Sequence, residues 1–191
     1  MLGYAPITAL VAWWSTTEEY RSLHRNRVSP TGAAAVDLAR AEIRRGAGEF
    51  GGNNRGPDVD KYRGKEGAGR KGSWCASFQY WLESTVRTVA GLKMPFGYTP
   101  GARKLYRLTA QHGMLVDADD IHVGDLVLWA RGPRGSWKAH IGRVSHVVRD
   151  EKRLGKVLKW KYIAGNEGRF PARVREGWGH KRKRLIGFAR L

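Results

Sequence analysis

Gly72-Ser73-Trp74-Cys75-Ala76-Ser77-Phe78-Gln79-Tyr80-Trp81-Leu82 is where a glycine-rich, polar stretch turns into a helix. Phe78, Trp81, Leu82, Val86 and Val89 recur at helical spacing, and Gly91 supplies the stop. Cys75, the only cysteine of the chain, stands at that junction. A helix N-terminus carries partial positive charge and free N–H groups, which favour a thiolate and can also hold a developing oxyanion. A lone cysteine is more often a small buried hydrophobe. Its place at the loop-to-helix junction argues for a nucleophile.

Upstream, Ser29 and Pro30 form a helix start, with serine as cap and proline at the first helical position. Ala35, Leu38, Ala39 and Ile43 then follow at helical spacing as far as Gly46. Between Gly46 and Gly72 the chain reads as one long loop centred on Asn53-Asn54-Arg55-Gly56-Pro57. Downstream the period changes. Asp125 to Trp129 reads as a buried strand, His140 to Val148 alternates, Lys156 to Ala164 is a further strand, and Arg184 to Arg190 a closing one. Helices first and antiparallel strands afterwards predict an α+β fold.

A cysteine nucleophile needs a base, normally histidine. Of six histidines, His140 opens an alternating strand between small residues, which fixes its ring and leaves room for substrate. His146 is its competitor, expected on the same strand face because even spacing returns a side chain to one side. His122, just before the Gly124-Asp125 turn, reads as structural. The orienting group for the base would come from the end of the next strand, as Asn166 or Glu167.

The 191 residues suffice for one ordinary domain, expected over 29–191, with 1–28 as a short leader or docking segment. Within that segment Tyr4 to Trp14 is mostly apolar, but no basic residue precedes it and no small-x-small cleavage site follows, so it does not read as a secretion signal. No run of 18 apolar residues exists. One cysteine excludes an intramolecular disulfide framework and a cysteine-rich zinc site. The net charge is +18, and residues 131–191 hold 18 basic against 4 acidic residues, densest at His180-Lys181-Arg182-Lys183-Arg184. Such a surface attracts a polyanion: an anionic envelope polymer, an acidic lipid surface or, less favoured here, nucleic acid. Gly67-x-Gly69-x-x-Gly72 matches a dinucleotide fingerprint but follows no buried strand, and a P-loop lacks its lysine. Asp58 and Asp60 are too few for a calcium loop and read as structural or solvated.

Trp74-Cys75-Ala76-x-Phe78-x-x-Trp81, Gly124-Asp125-Leu126-Val127-Leu128-Trp129 leading to His140-Ile141-Gly142, and Ile163-Ala164-Gly165-Asn166 occur in that order. Together with Asn54-Arg55-Gly56-x-x-Val59-x-x-Tyr62 they resemble the CHAP family of cysteine- and histidine-dependent amidohydrolases and peptidases over about residues 32–168. The resemblance implies a papain-like fold that cleaves an amide of bacterial peptidoglycan. That bond is either the one between muramic acid and L-alanine or one within the stem peptide or cross-bridge. It further implies Cys75 as nucleophile, His140 as general base and acid, and Asn166 as the orienting residue, with Glu167 as a further candidate. Trp74, Asn54 and Trp129 would contact substrate, and no metal or cofactor is called for. One departure stands out: many members carry Glu two residues before this Asn, where this chain has Ala164.

The expectation is therefore a peptidoglycan hydrolase of the phage endolysin or virion-associated kind. It would be a monomer unless part of a particle, and would be held in the host cytoplasm or a virion until it reaches the wall. The alternatives are a secreted antibacterial amidase and a non-catalytic basic binding or phage-tail protein.

Overall fold

A computed structural model describes residues 29–150, 152, 155–179 and 184–191. The expected leader over 1–28 and most of the basic cluster at 180–184 lie outside the described residues.

Helix α1, Pro30–Arg44, starts as its sequence dictates, with the Ser29 hydroxyl accepting from the Gly32 N–H at 3.3 Å. It buries Ala35, Val36 and Ala39 against the middle of the molecule. The stretch from Gly46 to Gly72 is not one loop. It contains helix α2, Pro57–Arg63, and a short 3-10 turn at Lys65–Gly67. Proline at the first position starts α2, and Val59 and Tyr62 anchor it by burial. Two apolar residues three apart are too few to show a periodicity in the sequence. Helix α3, Cys75–Val89, is the one read from the opening stretch, although Val89 points to solvent rather than to the core. A fourth helix, α4 (Ala102–Gln111), buries Ala102, Leu105 and Thr109 in a segment with no earlier assignment.

The strands are β1 (Leu115–Val116), β2 (Leu126–Ala130), β3 (Ala139–Asp150), β4 (Lys156–Glu167), β5 (Arg173–Gly179) and β6 (Leu185–Ala189). They form one antiparallel sheet in the order β1-β6-β2-β3-β4-β5. The class is thus α+β, with four α-helices and a six-stranded antiparallel sheet among the described residues. Four strands, β2, β3, β4 and β6, coincide with the strand segments expected from the sequence. Edge strand β5 does not, because its charges and glycines hide the alternation. Successive side chains of a strand face opposite ways. Leu126 and Leu128 of β2 accordingly pack with Leu105, while Val127 packs with Trp160 and Phe188 on the other side. No helix among the described residues is long and apolar enough to cross a membrane.

What fixes α3 on the sheet is polar as well as apolar. Gln79 and Glu83, one and two turns after Cys75, lie on the same stripe of the helix. Glu83 Oε2 accepts from Arg143 Nη1 at 2.8 Å, with both side chains fully buried, and the same guanidinium donates to the Gly124 carbonyl at 3.1 Å. Gln79 Nε2 donates to the Ile163 carbonyl at 3.1 Å. The helix is therefore tied to β3 and β4 at fixed points, and this sets where its first residue, Cys75, comes to rest. Gly165 allows the approach: a Cβ there would lie 2.4 Å from the Trp74 ring.

Candidate active site

Cys75 opens α3 and is 3% exposed. No side chain caps this helix, so none competes for the N–H groups of its first turn. Strands β3 and β4 pair from Arg143–Ile163 outward to Asp150–Lys156, leaving residues 139–142 unpaired with β4. In that opening the Ile141 N–H favours the charged form of the Cys75 sulfur.

His140 lies beside it, buried, with Nε2 2.5 Å from Glu167 Oε1. Its other nitrogen, Nδ1, is buried without a well-formed partner. The Cys75 thiol is the group that couples to this ring. No hydrogen bond joins the two in this structure, as is common for catalytic contacts without substrate. Trp129, the β2 partner of His140, stacks alongside the imidazole with ring centroids 6.3 Å apart, and Tyr162 packs on Trp129 at 4.5 Å. The Tyr162 hydroxyl also donates to Glu167 Oε1, at 3.4 Å.

The electrostatics follow from these contacts. Burial would push the Cys75 thiol up, but His140, the Ile141 N–H and the Arg131 charge outweigh it and hold the thiol below its ordinary value. Burial likewise opposes charge on His140, yet Cys75 and Glu167 raise it to about 9. The same burial opposes ionisation of Glu167, and its hydrogen bond to His140 prevails and lowers it. Burial and then the Glu167 charge push Tyr162 up to about 12, which keeps it a neutral donor. All three shifts favour the charged forms: thiolate on Cys75, imidazolium on His140 and carboxylate on Glu167.

Among the candidates from the sequence, Cys75, His140, Glu167 and Trp129 come together. Asn166 makes no hydrogen bond to the ring among the described residues; Glu167 does. The cause is a bulge. The β4–β5 register runs from Ala164–Arg175 to Glu167–Arg173, one residue out of step, and Asn166 takes up the extra residue at φ 60°. Alternation is thereby shifted by one, and Glu167 joins Tyr162 on the side where regular pairing would have put Asn166. A second bulge, between Val144 and His146, likewise breaks the expected alliance of His146 with His140 and leaves His146 exposed.

Trp74 and Asn54, expected at the substrate, are tied into the scaffold behind Cys75. Trp74 is 0% exposed, stacked on Tyr62, with Nε1 donating to Glu49 Oε1 at 3.2 Å. The Asn54 N–H donates to that same oxygen at 2.9 Å, and the Asn54 carbonyl accepts from Arg63. Glu49, buried and unnoticed in the sequence, thus joins the loop before α2 to the residue before Cys75. Asp125 holds the C-terminal Arg190 at 2.9 Å and accepts from the His122 N–H, so the Gly124-Asp125 turn and His122 are structural. Asp58 accepts from the Gly48 N–H and pairs with Arg45. Two further groups near the site had no sequence signal, Tyr162 and Arg131, because only the sheet register brings them there.

Cys75 sits in the wall of an open cleft of about 1270 Å³, bounded by the loop before α3, the first turns of α4 and the β2–β3 hairpin. Compared with known families, curated proteins and solved structures, the chain matches none of them.

Proposed function

We propose that this chain is a cysteine amidohydrolase or peptidase with a papain-like arrangement, and that it cleaves an amide of bacterial peptidoglycan. The observation that carries the chemistry is the line Cys75, His140, Glu167: a thiol at an uncapped helix start, a buried imidazole beside it, and a carboxylate on the far ring nitrogen. The order of motifs that resembles the CHAP family supports the wall polymer as substrate. The cationic cleft suits an anionic polymer. In this reading Glu167 orients the base, the place the resemblance gives to Asn166.

The Cys75 thiolate attacks the amide carbonyl carbon, and the oxyanion forms next to the N–H groups at the start of α3. The His140 imidazolium gives its proton to the leaving nitrogen as the C–N bond breaks, leaving a thioester on Cys75. Neutral His140 then takes a proton from water, whose oxygen attacks the thioester. The sulfur leaves as thiolate, and the acid product departs. Throughout, Glu167 holds the ring with Nδ1 toward the sulfur and stabilises its charged form.

Digestion of purified sacculi by wild type, Cys75→Ala and His140→Ala, with fragments read by mass spectrometry, tests this. Wild type releases fragments whose masses name the bond, and both variants lose at least about a thousandfold in rate while keeping the wild-type circular dichroism. Turnover retained in either variant removes that residue from the mechanism. Turnover by none of them, across several wall chemistries, replaces the enzyme with a basic binding protein. A phage lysin remains the setting we favour for the enzyme.

A further inference from the structure

The cleft in front of Cys75 is lined by eight lysine and arginine side chains and by no aspartate or glutamate. Of the eight, only Arg63 meets a carboxylate among the described residues, Asp60 at 3.9 Å. Like charges gathered around one space repel each other and raise the local concentration of anions. The backbone adds to the field. Helix α4 follows Gly101 with no side-chain cap and no acidic residue in its first turn, and Gly101 and Ala102 both line the cleft.

Two arginines are set apart from the rest. Arg103 lines the cleft with a buried Nε that has no hydrogen-bond partner, a donor left unused by the protein itself. Arg131 continues β2 two residues beyond Trp129, the strand partner of His140, and its N–H is fixed to the Lys138 carbonyl at 2.9 Å. It is also near enough to bias the charges of Cys75 and Glu167. A guanidinium fork fits a carboxylate with two parallel hydrogen bonds.

We propose that this cleft selects substrates carrying free carboxylates beside the scissile amide, and that Arg103 and Arg131 are the residues that read them. The proposal takes from the hydrolase reading only the place of cleavage. Carboxylates of the molecule being cut are favoured over the phosphates of a nucleic acid because the cleft ends at a thiol suited to acyl carbon.

The test uses the full chain carrying Cys75→Ala and calorimetric titration with two forms of one stem peptide, N-acetyl-L-Ala-γ-D-Glu-L-Lys. In one form both carboxylates are free; in the other both are carboxamides. The free form is expected to bind at least about tenfold more tightly, one charge-assisted hydrogen bond's worth, and the gap should narrow as salt rises. Adding Arg103→Gln and Arg131→Gln should bring the ratio of the two affinities close to one. Lys159→Gln, far from the cleft over the Trp178 ring, should leave that ratio unchanged. Equal binding of the two forms, or a preference that survives the double arginine change, overturns the proposal. So does a single-stranded DNA 20-mer that binds the cleft more tightly than the free peptide and loses affinity with the same two changes. Wild-type turnover separates the readings. Carboxylate preference with no turnover of any wall substrate sinks the hydrolase and leaves the cleft; Cys75-dependent turnover with no preference does the reverse.

Discussion

Glu167→Gln is the substitution that asks most of the site. It keeps size and shape, and the amide oxygen can still accept from His140 Nε2, but the negative charge is gone. A hydrogen bond to a charged group contributes about 1.5–3 kcal/mol against about 0.5–1.5 for a neutral pair, so the imidazolium loses roughly 1–2 kcal/mol of support. At about 1.4 kcal/mol per pKa unit, that lowers His140 by about one unit or slightly more. Starting from about 9, the imidazolium that protonates the leaving nitrogen is then lost about one pH unit earlier. The assay is kcat/KM across pH 5–10 on a soluble fragment of sacculi. Wild type should fall on the alkaline side near 9, and Glu167→Gln about one unit lower, with a loss of roughly fivefold at pH 9 and less at pH 6. Asn166→Gly, which suits the left-handed backbone at that position, should keep the wild-type profile. An unmoved alkaline limb in Glu167→Gln, or a loss in Asn166→Gly as large as that in Glu167→Gln, would refute the role assigned to Glu167.

Three further outcomes concern the scaffold. Arg143→Met should cost about 3 kcal/mol in urea denaturation because it leaves the buried Glu83 charge with Arg87 as its remaining cation, and adding Glu83→Leu should recover part of it; a Met variant as stable as wild type would show the pair to be idle. Gly165→Ala places a methyl 2.4 Å from the Trp74 ring and should lower stability by about 1–3 kcal/mol, read as a fall in Tm together with activity. Glu42 is pushed up by burial but pulled down more strongly by Arg45, Lys61 and Tyr62, to about 2 from 4.5. Its contribution to stability is therefore whole above pH 4.5 and lost as pH falls toward 2, and Glu42→Gln should flatten that acid-side decline in a chemical-denaturation series. An identical decline in the variant would assign it to other carboxylates.

The parts of the molecule that were legible in the sequence are those where local chemistry and tertiary placement agree. Ser29 and Pro30 start a helix wherever they occur together in this way, and the apolar face of α3 announces itself over three turns. Strands β2, β3, β4 and β6 are apolar or alternating enough to be seen. Cys75 and His140 could be picked because a helix start and a strand opening are local features. Glu167 could only be offered as an alternative to Asn166, since one unpaired residue in β4 decides between them and no composition rule marks a bulge whose left-handed residue is not glycine. His146 failed for the same reason on β3. Trp74 differs: an aromatic next to a nucleophile reads as a binding platform, while its burial depends on Tyr62 and Glu49 from the stretch that reads as loop.

Strand β6 comes last among the elements in chain order, yet it lies inside the sheet, between β1 and β2. The sheet therefore cannot be laid down in the order of synthesis. Until residues 185–189 have left the ribosome, β2 lacks its second neighbour, and Val127 and Trp160 lack the Phe188 ring that packs between them. Arg190 then bonds to Asp125, at the turn whose Gly124 carbonyl receives Arg143. A ribosome-bound intermediate thus holds both Cys75 and His140 without the frame that aligns them. The pairing of β2 and the Asp125 turn both wait on residues 185–190.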